Sequence, residues 1–113
     1  MNIIKELDYK IKGEKMEKLY NENGDVAVII SYDYGAGFST WTDINPMDKR
    51  YAELILNKKF DEAIKLAESE EQYTGGIESC GIKWVEKDAR FRISEYGGSE
   101  SLILYNDADY YEA

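Results

Sequence analysis

The sequence predicts a single α+β domain, a mostly antiparallel sheet of about four or five strands with two or three helices packed on one face. Strand-like segments flank a central block of helical periodicity, the element order of an α+β chain rather than of an alternating parallel one. The length of 113 residues suits one hydrophobic core and leaves too little surface to bury for two. A content of 43% hydrophobic and 13% aromatic residues supplies that core.

Residues 5–12, KELDYKIK, alternate with Leu7, Tyr9 and Ile11 on one side, the pattern of a short strand before Gly13. Met16, Leu19 and Tyr20 follow at helical spacing and predict a short helix closing on Asn23 and Gly24. Residues 1–24 read as an N-terminal extension, strand plus short helix, packed on an α+β domain of residues 25–113. DVAVIISYDY is β-branched and nearly continuous in apolar character, which predicts a central strand buried on both faces. Asn45 can cap a helix whose first turn holds Pro46 and Asp48, with Tyr51, Leu54 and Ile55 as its apolar stripe. A second helix, about 60–70, turns Phe60, Ala63, Ile64 and Ala67 inward. CGIKWVEK, RFRISEY and ESLILYN, separated by turn residues, then read as an antiparallel meander. Ile29, Ile30, Leu54, Ile64, Trp84, Ile93 and Leu104 are the expected core.

The formal charge is −9, from 23 acidic and 14 basic side chains, and it disfavours direct binding to nucleic acid or an anionic membrane. The N-terminus has charges scattered through it, and no stretch approaches the ~20 apolar residues of a membrane span, so a cytoplasmic protein is expected. The single cysteine, Cys80, has no partner for an internal disulfide and no histidine to activate it, and is expected to be a packing residue. Acid-base chemistry without histidine would fall to carboxylates such as Asp33 and Asp43, but a loop separation of this kind specifies no distance. Asp33, Asp43 and Asp48 match no calcium-loop spacing. The expectation is a protein that is not an enzyme, with no cofactor and no metal.

The stretch DYGAGFSTWTDINP, residues 33–46, concentrates flexible and donor-rich residues between two regular elements. Gly35 and Gly37 permit positive φ and close approach, Ser39 and Thr40 add hydroxyl donors, and Tyr34 and Trp41 add stacking faces. That is the equipment of an anion or nucleotide cradle, although it is neither a Walker loop nor a dinucleotide fingerprint. It is equally the equipment of a tight connection in which Trp41 plugs the end of the core. Arg90 and Arg92 alternate on one face of a predicted strand and can either clamp a phosphate or pair with acids such as Glu86 or Glu100. Tyr73-Thr74-Gly75-Gly76 and Tyr96-Gly97-Gly98-Ser99 read as turns whose functional weight depends on meeting the first loop in space.

VIISYDYGAGFSTW, DKRYAELILNKKFDEAIKLAE, YTGG and RFRISEYGGSESL together resemble a group of small phage and prophage proteins with a Gly-Ala-Gly-aromatic-Ser-Thr-Trp loop. The resemblance covers about residues 26–105. It implies a phage setting, the cytoplasm of an infected bacterial host, and by analogy a role against host defence; it implies no reaction.

Two functions from different classes follow. In the first, the chain sequesters a small phosphorylated, nucleotide-type signal: the Gly35 to Trp41 loop cradles phosphate or ribose, Tyr34 or Trp41 stacks, and Arg90 or Arg92 neutralises charge. In the second, an acidic inhibitor blocks a basic, nucleic-acid-binding surface of a host effector through Glu68, Glu70 and Glu71 and a C-terminal tail carrying Asp107, Asp109 and Tyr110. The high tyrosine content, 10 of 113 residues, also favours a contact surface and allows a homo-oligomer.

Overall fold

The computed structural model describes residues 16–105. Their elements run β1 (Val26–Ser31), α1 (Lys49–Leu56), α2 (Phe60–Ser69), a 3-10 turn (Ile77–Ser79), β2 (Cys80–Val85), β3 (Arg90–Tyr96) and β4 (Ser99–Tyr105). The fold is α+β, with every strand pairing antiparallel. The strands divide into two ladders rather than one sheet: β1 pairs with β2, from Val26 opposite Val85 to Ser31 opposite Cys80, and β3 pairs with β4 as a hairpin. The predicted strand over residues 5–12 and the tail after Tyr105 lie outside the described residues.

Every residue of β1 is buried, as its apolar run requires. The alternation of a strand sends Ala27 and Ile29 to one side, into a core with Phe38, Ile44, Tyr51, Ile55, Ala63, Ala67 and Ile77. Val28 and Ile30 face the other side and meet Val85, Ile93, Phe91 and Leu102. The β1–β2 ladder is thus a middle layer, with helices on one face and the β3–β4 hairpin on the other. This arrangement buries both faces of β1 in a ladder of only two strands.

The outer edge of β1 is satisfied by irregular backbone and by a side chain. Ala27 N–H donates to Leu19 O at 2.9 Å, Ile29 N–H to Pro46 O at 2.8 Å and Ser31 N–H to a Glu100 carboxylate oxygen at 3.1 Å. The first of these bonds explains why residues 16–24 are not helical. Asn21 Oδ1 accepts from the amides of Asn23 and Asp25, Gly24 takes φ 83°, and Tyr20 bridges to Val26, so the chain folds back along β1.

Asp48, not Asn45, caps α1: its Oδ1 accepts from Arg50 N–H at 3.0 Å, while Asn45 closes the preceding turn on Met47 N–H. Lys58 at φ 59° and Glu71 at φ 60° terminate the two helices in the left-handed region. Of the expected core, Ile29, Ile30 and Ile93 are buried and Leu54 and Ile64 half-buried. Trp84 and Leu104 are instead 37% and 51% exposed, because two-stranded ladders leave more side-chain surface uncovered than a wide sheet does.

Candidate functional site

Three glycine-bearing segments converge at one end of the molecule. Gly35 N–H donates to Gly97 O at 2.5 Å, Gly37 N–H to Gly98 O at 2.8 Å, and Tyr73 Oη to Gly35 O at 3.0 Å. Ser31 Oγ also donates to Gly98 O, and Ser99 Oγ to Tyr32 O. Close approach dictates glycine here. A Cβ on Gly76 would overlap the Ala36 carbonyl oxygen, and one on Gly98, which sits at φ 93°, would lie 2.7 Å from Ala36 N. The two turns at Gly75-Gly76 and Gly97-Gly98 therefore belong to the same junction as the first loop.

The loop does hold an anion, and the anion is internal. Glu100, 3% exposed, places its carboxylate against the loop. One oxygen accepts from Ser31 N–H; the other accepts from Phe38 N–H at 2.9 Å, Thr40 N–H at 3.0 Å and Thr40 Oγ1 at 2.5 Å. Three backbone amides and a hydroxyl satisfy a buried charge that would otherwise be costly. No described buried side-chain polar atom is left without a partner.

The predicted loop residues accordingly divide. Tyr34 is 74% exposed, Trp41 lies over Gly37 with its ring partly exposed, and Ser39 is buried. Thr40 is committed to Glu100. Phe38, not Trp41, plugs the core, edge-on to Tyr51 at 5.9 Å between ring centroids. Arg90 and Arg92 are exposed at the far end of β3. At roughly 3.3 Å per strand residue they lie about 20 and 13 Å along the strand from Tyr96, which flanks the junction. Since the loop takes the Glu100 carboxylate, the pairing of these arginines with Glu100 contemplated from sequence does not describe the hairpin.

Around the junction stand Tyr32, Tyr34, Trp41, Tyr73 and Tyr96, all with substantial exposed ring surface. Tyr34 and Tyr96 form an edge-on pair at 6.0 Å, and Trp41 and Tyr73 a tilted pair at 5.7 Å. The contributing segments, residues 31–43, 73–79 and 94–100, contain Asp33, Asp43, Glu78 and Glu95 in addition to Glu100, and no lysine or arginine. Asp33 accepts from Ser79 Oγ and Glu95 from Gly98 N–H.

The acidic patch of α2 is partly consumed elsewhere. Glu70 binds Arg50 at 2.8 Å and accepts from Tyr51 Oη at 2.6 Å, while Glu68 and Glu71 remain exposed. Partial burial pushes the Glu70 pKa up, but hydrogen bonds from Arg50 and Tyr51 outweigh it and hold the carboxyl below its ordinary range. Burial, with the nearby Glu100 charge, pushes the Cys80 thiol well above its ordinary range; it stays protonated against Gly76 O. Asp107, Asp109 and Tyr110 lie outside the described residues.

Among the described residues no cluster of three or more histidine, cysteine or carboxylate side chains could hold a metal, and no helix is long and apolar enough to cross a membrane. No protein-family model matches the chain, and no significant match was found among curated proteins or solved structures.

Sequence reasoning missed Glu100 as the cradle's occupant, although a signal was present. In SESLILY, Glu100 shares its strand parity with Leu102 and Leu104, so a charge falls on the apolar side immediately after a Gly-Gly turn. A carboxylate at such a position needs donors, and the donor-rich loop is the segment that has them.

Proposed function

We propose that this protein is a noncatalytic binding module whose working face is the ring-bearing glycine junction and whose partner is a basic protein segment. The observation that carries the reading is chemical: aromatic rings stand exposed among acids, in segments without a lysine or arginine. Tyrosine and tryptophan faces beside carboxylates suit guanidinium and ammonium groups through cation–π and ionic contact. The net charge of −9 draws such a partner in from a distance, and exposed Glu68 and Glu71 add to that field. In the phage setting that the resemblance implies, the partner is a nucleic-acid-binding host protein, and the module acts by occupying its basic groove.

The competing reading, a sequestered nucleotide, retains the stacking rings but loses the phosphate site. Phe38 N–H, Thr40 N–H and the Thr40 hydroxyl already serve Glu100, and the Gly35 and Gly37 amides serve Gly97 and Gly98. A phosphate at this face would also meet acids without a nearby cation from these segments. Nuclear magnetic resonance titration with an arginine-rich peptide and, separately, with a set of nucleotides and cyclic nucleotides distinguishes the two. The peptide should move the resonances of Tyr34, Trp41, Tyr73 and Tyr96, with affinity falling as salt rises. Nucleotide binding that moves the Phe38 and Thr40 amides, with the peptide inert, would favour sequestration instead.

A further inference from the structure

We propose that residues 31–40 form a carboxylate receptor, a site selective for a small planar monoanion that Glu100 fills in the native chain. The inference is independent of which partner the aromatic face takes. It rests on the division of donors between the two oxygens of Glu100. Ser31 N–H approaches one oxygen, and Phe38 N–H, Thr40 N–H and Thr40 Oγ1 converge on the other. All the donors belong to residues 31–40, whereas the anion arrives from a strand some 60 positions later in the chain. The donors are held in place by contacts of their own. Ser31 lies in β1, Phe38 is locked into the helical core, and the Gly35 and Gly37 amides bind the hairpin turn.

Selectivity follows from shape and charge. The site encloses its carboxylate to 3% exposure, so a tetrahedral anion with further oxygens would leave acceptors buried without donors. Its donors are amides and a hydroxyl, and no described ion pair involves Glu100, which suits one negative charge better than two. Removing the Glu100 side chain while keeping the receptor should therefore create a site for formate or acetate.

The test uses the full chain carrying Glu100→Ala. Its melting temperature should rise by about 5 °C or more in sodium formate or acetate at a hundred times the dissociation constant, as expected for a ligand that binds only the folded state. Chloride and phosphate at equal ionic strength should give no such rise, nor should formate added to wild type, whose site is full. An equal response of wild type and variant, or an equal response to phosphate, would overturn the proposal. Should Glu100→Ala fold in none of these anions, Glu100→Gln decides. A melting temperature several degrees below wild type supports the receptor, since the amide presents a donor to converging donors; an unchanged one overturns it.

Discussion

Two carboxylates, Glu100 and Glu70, are both held by hydrogen bonds within the chain, and they are held by opposite means. Glu100 is enclosed by backbone amides and one hydroxyl, with no cation within ion-pair distance among the described residues. Glu70 sits at the surface, its side chain 34% exposed, bound to the Arg50 guanidinium and the Tyr51 hydroxyl. Water competes for the second and hardly for the first. Glu100 ties the loop to the hairpin and thereby fixes the positions of Tyr34, Trp41 and Tyr96, whereas Glu70 joins the N-terminus of α1 to the end of α2 and adds little to the fold.

The comparison breaks most sharply at Glu100. Glu100→Ala leaves buried donors without acceptors, at roughly 1–3 kcal/mol each, and should cost about 3–5 kcal/mol in chemical denaturation after water relieves part of the loss. A loss below about 1 kcal/mol would show that the carboxylate is not seated as described. Gly98→Ala attacks the same junction from the backbone side, combining φ 93° with a Cβ placed 2.7 Å from Ala36 N. It should cost about 3 kcal/mol. Thr40→Val preserves shape and removes only the hydroxyl donor, so about 2 kcal/mol is expected, the range for a hydrogen bond to a charged group. Glu70→Gln should cost only about 0.5 kcal/mol at neutral pH, since exposed pairs contribute little. Because the folded Glu70 pKa is depressed, its contribution is present above the unfolded carboxyl value and disappears as pH falls through the folded one. Wild type and Glu70→Gln should therefore converge in stability at acidic pH, as melting curves across that range would record.

Much of the fold was legible because period and burial agree. The apolar run of β1, the stripe of Ala63 and Ala67 in α2, and the Gly-Gly turn between β3 and β4 each dictate one local structure. The helix expected at Met16 to Gly24 failed because local spacing competes with a tertiary demand, the open edge of β1, which takes the Leu19 carbonyl. Trp84 and Leu104 read as core from the sequence because a strand's apolar face does not reveal how many strands flank it. In the candidate site, the loop's wealth of donors was legible, but the donors that take the carboxylate are the Ser31, Phe38 and Thr40 amides and the Thr40 hydroxyl, while the Gly35 and Gly37 amides bind the hairpin turn. The identity of the anion was not legible, since nothing local in residues 33–46 points to a carboxylate at position 100. Only the parity of Glu100 with Leu102 carries that information, and it becomes meaningful once Leu102 is known to pack on β1 beside Val28 and Ile30.

The central claim, that Glu100 occupies the loop's amide cradle, is tested most directly by native-state hydrogen exchange at single amides. Phe38 and Thr40 lie in no helix or strand, and their amides point to a buried carboxylate, whereas the amide of exposed Asp43 donates to the half-buried Gln72 side chain. In wild type, Phe38 and Thr40 should exchange far more slowly than Asp43, and in Glu100→Ala they should lose that protection while Val28 and Ile30 in β1 retain theirs. Rapid exchange of Phe38 and Thr40 in wild type, or protection that survives the loss of Glu100, would contradict the claim and return the loop to the status of an open anion site.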